Sequence, residues 1–410
     1  MVSLVMLVII LVCAAALYLK GTLVQGLTLV LNALLASFVA FAFFETVATS
    51  LAKYAAGMTA WAQTISFLLL FVLVLAVLQA IAMQLGKEKI DLGLWPERVG
   101  RIACGIVLGY IITGNLLLAL GAAPLPSGYP YARFSERNPD PSKPDKPALS
   151  PDGFLTSFFG AISKGSFAAL GEARSFAVLH ANYLDHLYLN RLKDAKTVPL
   201  MTSTPALSLS LKASVWEAPT ELRDTEGQPL PARGGENLML VRVGIKKGAL
   251  KDAGSFTLGQ LRLICVPKST SGDPLAGQGQ AVYPVGYIGP GGRLERQSLD
   301  KVISIKSADV PDRVRDIDFA FYVPNQLVPA LVGFKKNNLE KVSSPVSGED
   351  IPQPIPFGGS APRQENRAER GSSAAERRSN AAPSSSSEER RGSGLSPVGQ
   401  ALTGGALEDN

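Results

Sequence analysis

The 410 residues carry 40 Lys and Arg against 34 Asp and Glu, a formal net charge of +6. That excess is small and is nowhere gathered into the long basic block that tracks a phosphate backbone, so nucleic acid is not an expected partner. Three cysteines without regular spacing argue against a disulfide framework or a metal site. Cys13 and Cys104 lie in apolar runs and Cys265 in a predicted strand, and all three read as small buried residues.

Composition divides the chain. Up to about Ala123 it is dominated by Leu, Val, Ala, Ile and Phe; from Pro124 onward charged residues, Gly and Pro appear as they do in soluble proteins. Crossing a bilayer takes roughly 20 apolar residues of helix, because each backbone polar group must be satisfied within the segment. Four stretches qualify, 2–19, 23–44, 62–85 and 102–122, and region 1–122 is therefore expected to be a four-helix transmembrane domain. The first stretch has a competing reading as a cleaved signal peptide, since Ala14, Ala15 and Ala16 resemble a cleavage site. No Lys or Arg precedes it, which favours a retained helix.

Basic residues near helix ends set orientation. The turns after the first and third spans hold Lys20, Lys87, Lys89, Arg98 and Arg101, whereas the other side offers Lys53 before the fourth span ends. Those two turns are expected to be cytoplasmic, with both termini outside. Polar side chains within the spans are few and uncharged: Gln25, Asn32, Ser37, Gln79, Thr113 and Asn115. They read as helix-to-helix bonds, with a polar path gathered by oligomerisation as the alternative. Gly105 and Gly109, four apart on the fourth helix, let another backbone approach closely, as do Gly100 and Cys104.

Three stretches of this region carry a resemblance. A short turn, Lys20 and Gly21, opens a second helix rich in small and aromatic residues; a long apolar third helix follows; then 92–100, containing Trp95, Pro96, Glu97, Arg98, Val99 and Gly100, leads into a glycine-spaced fourth helix. This order resembles the colicin V production protein family of bacterial inner-membrane proteins. In that family the third turn has an acidic–Arg pair, an apolar residue and a glycine, places filled here by Glu97, Arg98, Val99 and Gly100; Trp95 and Pro96 depart from the pattern. The resemblance implies a role in colicin secretion and envelope homeostasis, with no defined reaction to carry over. Read from the residues alone, Glu97 and Arg98 are a solvated pair that starts the fourth helix.

The segment 123–151, dense in Pro, Ser, Lys and Asp, is expected to be an extended stalk. Within 152–200, stretches 153–162 and 176–192 have helical apolar spacing that suits either the membrane surface or the domain that follows. In 201–344 the period changes to two: 207–213, 238–245, 261–266, 282–285, 302–305, 317–323 and 331–334 read as short strands, predicting an all-β sandwich. Its ending, 316–324 then 331–334, looks like the last two strands of an immunoglobulin-like domain. The remainder, 345–410, has almost no aromatic or β-branched residues and is expected to be disordered.

No catalytic residue, cofactor or metal is predicted. A nucleophile–His–carboxylate triad needs a suitably placed His, and only His180 and His186 exist, both on the helix before the strands. Their spacing of six does not give the one-face pair of a metal site. The run Gly289, Pro290, Gly291, Gly292 reads as a turn between strands. The expected protein is a non-enzymatic inner-membrane module whose outer domain binds an envelope protein or peptidoglycan, with a homo-oligomer or transport component as the alternative.

Overall fold

The computed structural model describes residues 2–85, 93–135, 138–164, 175–210, 212–268, 273–310 and 312–358. Lys87 and Lys89 of the expected third turn, and the expected disordered tail from 359 on, lie outside these residues.

Four helices long and apolar enough to cross a membrane come first: α1 (Val2–Lys20), α2 (Leu23–Tyr54), α3 (Ala62–Leu85) and α4 (Leu94–Ala122). Two are longer than the apolar runs that announce them. A charged residue ends an apolar run without ending a helix, and α2 continues through Glu45 because neither Gly nor Pro intervenes before Gly57. α4 begins before Arg98, with Pro96 in its first turn, where a missing N–H costs no helical bond. Thr22 starts α2 with a reciprocal cap: its hydroxyl accepts from Gln25 N at 3.2 Å while its own N–H donates to the Gln25 side chain at 3.0 Å.

Close approaches fix the helix register. A Cβ on Gly105 would lie 2.4 Å from Ala14 Cα, and one on Gly109 2.7 Å from Ile10 Cα, so α1 runs antiparallel to α4 in backbone contact. Asn115 donates to Ser37 Oγ at 2.8 Å, and Leu23 N donates to Glu97 Oε1 at 2.9 Å, so α2 runs parallel to α4. Lys20, Glu97, Arg98 and Arg101 consequently gather at one end of the bundle, and the rest of the chain leaves from the other.

The stretch expected to be a stalk is tied down. Arg133, only 6% exposed, pairs with Asp185 at 2.6 Å; Tyr131 packs on Tyr188 with ring centres 5.0 Å apart; Phe134 is buried. Proline-rich composition removes helix and strand, but three large side chains are enough to anchor a segment. Next come α5 (Pro151–Ser163), α6 (Phe176–Leu179) and α7 (Tyr183–Leu189). These helices pack on both of their neighbours: Leu155 and Leu187 meet glycines of α4, while Val178 joins an apolar cluster with Ile264 and Leu331.

The β-region is antiparallel throughout its named strands. One sheet places β1 (Leu207–Ser208), β3 (Glu236–Lys246), β10 (Val314–Pro324), β7 (Gly286–Ile288) and β8 (Leu294–Arg296) in that order, with β2 (Val215–Glu217) also on β3. A second orders β12 (Asn338–Lys341), β11 (Leu327–Phe334), β5 (Leu261–Pro267) and β6 (Gln280–Val282). β4 (Ser255–Thr257) and β9 (Val302–Ser304) form a separate pair. Val241, Val243 and Phe319 from the first sheet share one apolar cluster with Leu263, Val332 and Phe334 from the second.

Three expectations need correction here. The alternating stretch 207–213 forms only the two-residue β1, and residue 211 lies outside the described residues. β10 and β11 belong to different sheets, whereas the last two strands of an immunoglobulin-like domain neighbour each other in one sheet. Residues 345–358 are not tail: Ile355 N donates to Asp318 at 2.7 Å and Phe357 packs on Tyr287 at 5.3 Å. Asp318, fully buried, is the reason, since its charge needs both Arg242, bonded at 2.7 and 2.8 Å, and that backbone N–H.

The α1–α4 seam makes a sharp contrast in glycine tolerance. Gly105→Leu should separate the two helices and cost about 1–3 kcal/mol, seen as a lower unfolding temperature in detergent. Gly57→Ala, where a Cβ meets nothing within 4 Å, should leave that temperature unchanged.

Candidate functional site

The last carbonyls of a helix have no partner within it, and at the end of α4 they point into protein. Arg191, 2% exposed just after α7, donates to Leu120 O at 3.1 Å and Ala123 O at 3.5 Å, and also to Tyr129 O. Its guanidinium lies 4.4 Å from the centre of the Tyr188 ring. Lys336, 5% exposed in the turn between β11 and β12, donates to Ala122 O. Two cations from distant parts of the chain thus close the negative end of one membrane helix.

The same turn holds the β-region to itself. Lys335 adopts a left-handed φ of 52° that turns its side chain away from Lys336. Its ammonium donates to Pro199 O and Asp252 O, each at 2.6 Å, and to Ser255 O at 2.9 Å. Its carbonyl accepts from His186 Nε2 at 2.9 Å, which assigns the imidazole proton to Nε2. Burial, reinforced by the Arg262 charge, holds His186 well below the usual histidine range, so it is neutral. Burial also pushes Lys335 and Lys336 down to about 7, in Lys336 with help from the nearby Arg191 charge.

A second contact joins α2 to the seam. Glu45 Oε2 lies 3.5 Å from His180 Nε2, immediately after α6. Arg262 of β5, 2% exposed, donates to Leu179 O and Ala181 O, both at 3.1 Å, and so clamps the backbone on either side of that histidine. Gly333 on neighbouring β11 leaves room for it, since a Cβ there would meet Arg262 Nε at 2.8 Å. Sequence patterns missed Arg191, Arg262, Lys335 and Lys336 altogether.

The residues singled out from sequence lie elsewhere. Asn32 Nδ2 donates to Gln79 Oε1 at 3.3 Å, joining α2 to α3; Asn115 joins α4 to α2; Gln25 belongs to the Thr22 cap; Gly105 and Gly109 receive α1. Gly21 follows α1, and Gly100 meets Leu23, where an added Cβ would lie 2.4 Å from that side chain. Glu97 pairs with Arg101 at 2.7 Å rather than with Arg98, which is exposed like Lys20. These residues do not converge on one site.

With the order of turns, glycines and helices in place, the relationship is direct. Residues 2–136 match the family model of the colicin V production protein. The match covers about a third of the 410 residues, and the four-helix region is accordingly similar to colicin V production proteins. No curated protein and no solved structure matches this chain. The colicin V production match ends just beyond Arg133, so the residue bound by Asp185 lies within it, and Arg191 and Lys336 lie outside it.

Two clefts flank Asn182. The larger, about 920 Å³, is lined by polar groups of both signs, among them Asp140, Asp185, Asp224, Arg233 and Arg296, with Tyr283 and Tyr322. Burial pushes the Tyr283 hydroxyl up, so it stays protonated. The smaller, about 330 Å³, lies between α5 and α6 beside His180 and Lys164. Among the described residues no group of three His, Cys, Asp or Glu is placed to hold a metal ion. Cys265 is a buried free thiol raised to about 12 by its surroundings.

Arg191→Met should remove the charged donor from Leu120 O, Ala123 O and Tyr129 O, the first two keeping backbone bonds from Ala123 N and Leu125 N, and destabilise the folded chain by about 2 kcal/mol, measured by thermal unfolding in detergent. The pH response follows from the lysines. Their folded pKa of about 7 lies below the ordinary 10.5, so between those values the unfolded chain binds more protons and stability rises with pH; below 7 this contribution is flat. Unfolding temperature should therefore climb from pH 7 to pH 9, and Lys336→Met should remove about half of that slope.

Proposed function

We propose that this protein is a non-enzymatic, multi-pass protein of the bacterial inner membrane that acts in envelope homeostasis or secretion. Its four-helix unit and extracytoplasmic β-region work as one joined scaffold. The capped end of α4 carries this reading: Arg191 and Lys336 bind the β-region to the membrane helix through buried cations rather than through a flexible linker. The larger cleft is the surface assigned to a polar envelope partner, since it presents charges of both signs and two tyrosines. The two histidines are engaged with Glu45 and with Lys335 O, which supports a structural use for both.

Orientation rests on charge. Lys20, Arg98 and Arg101 gather at the end of the bundle opposite the β-region, and basic residues at helix ends are retained in the cytoplasm. In intact cells, an impermeant thiol reagent should label Lys212→Cys, exposed on the β-region, and spare Arg98→Cys. The reverse pattern would invert the assignment.

A transport component remains the second reading, supported by the amides on α2, α3 and α4. Two sets of variants separate the readings in cells lacking the native protein. Asn32→Leu with Gln79→Leu removes polarity from the helices while sparing the seam, and envelope integrity should persist. Arg191→Met spares the amides, and integrity should be lost. The opposite result in both arms would favour transport.

A further inference from the structure

α5 is described above as a helix between the membrane unit and the β-region, but its depth along α4 sets a stronger constraint. A Cβ on Gly114 would lie 2.6 Å from Leu155 Cδ1 and 2.8 Å from Pro151 O, so the first turns of α5 press directly on α4 at that level. Counting along the helix, Gly114 is about 20 Å beyond Arg101 and about 12 Å short of Ala122. A hydrocarbon core about 30 Å thick that begins near Arg101 ends near Leu120. On α2, the Phe159 ring lies 4.6 Å from Phe41 and 5.9 Å from Phe38, both also below the Glu45 level.

Exposure along α4 agrees. Ile106 and Val107 are open, 46% and 45% exposed, but from Tyr110 to Ala122 no residue of α4 falls in the exposed class. What replaces lipid on that flank must itself lie within the hydrocarbon. The outward residues of α5 suit it: Phe154 and Phe158 are 48% and 36% exposed and stacked on each other at 6.0 Å, and Leu149 just before them is 70% exposed.

Most of its polar groups are satisfied internally, as hydrocarbon requires; the exception is the exposed Ser157, which lines the smaller cleft. Asp152 is 1% exposed and turned inward to Tyr131 and to Gly153 N; Thr156 donates to Asp152 O at 2.9 Å, and Ser163 to Gly160 O at 2.9 Å. The non-helical turn that leads into the helix has its Leu149 carbonyl bonded by Tyr110 Oη at 2.8 Å. Lys164, at the far end, reaches up to Gln278 of the β-region at 2.6 Å.

We propose that α5 is a re-entrant helix embedded in the leaflet on the β-region side, with Leu149, Phe154 and Phe158 against acyl chains. The bilayer is favoured over a second copy of the chain because this surface extends the exposed apolar flank of α4 at Ile106 and Val107 toward the β-region, taking over where α4 itself becomes covered.

The test uses the full chain in phospholipid vesicles with Cys13→Ala and Cys104→Ala, the buried Cys265 retained. Spin labels are attached at Phe154→Cys and, separately, Phe158→Cys, with Ile106→Cys as the lipid reference and Lys212→Cys as the water reference. Only chains whose unfolding temperature matches the parent are compared, and Ala161→Cys, an exposed small residue on the same helix, stands in for any that fails. Collision with oxygen should exceed collision with a water-soluble nickel chelate several-fold at the α5 positions, as at Ile106→Cys. A nickel response like that of Lys212→Cys would place α5 in water and overturn the proposal. Low collision with both reagents would mean protein covers it, and would overturn it equally.

Discussion

A helix that ends inside a protein must hand its last carbonyls to donors from elsewhere, and the end of α4 is where this chain meets that demand. Arg191 and Lys336 arrive from segments about 145 residues apart, so α7 and the β11–β12 turn are both fixed by a membrane helix. Carbonyls, the helix dipole and the Tyr188 face offset only part of the cost of burying these groups, and Lys336 is accordingly pushed down to about 7. Once those cations are placed, the apolar packing follows without a break: one buried cluster runs from Ala36 and Ala119 in the helices through Leu187 and Tyr188 to Phe319 and Phe334 in the sheets.

Much of this was legible in the sequence where a repeating physical demand wrote a pattern. Span length and apolarity located four helices, and the Gly105 and Gly109 spacing marked the flank that α1 occupies. Alternation found the long strands β3 and β10, which carry their register in the Arg242–Asp318 pair. It failed for 207–213, because two residues of pairing suffice when the partner strand is already fixed. The run Phe334, Lys335, Lys336, Asn337, Asn338 has the look of a solvated hairpin turn, yet Lys335, Lys336 and Asn338 are buried. Lys336 meets a helix more than 200 residues earlier, while Lys335 and Asn338 are taken up by Pro199, Thr202, Asp252 and Ser255, and no local pattern encodes contacts of that range.

The misreading of 123–151 has a different cause. Composition reports what a segment does without partners, and a proline-rich stretch has none of its own; Tyr131 and Arg133 find theirs on α7, and Phe134 joins the common apolar cluster. The membrane polar groups show the reverse balance. Asn32 with Gln79 and Asn115 with Ser37 were visible as isolated amides and hydroxyls, and their pairing follows from the helix register that the glycine seam and the Glu97 contact set. Such bonds are each worth about 1 kcal/mol in a bilayer, so they align helices that packing has already brought together.

The tying down of that segment also governs geography. A free 29-residue tether would let the β-region wander over roughly 30 Å. Held instead by Arg133 and the α4 cap, the cleft beside Asn182 is fixed relative to the four helices. Under the proposed function, a partner of this cleft would have to come to the helices rather than be reached by a swinging domain.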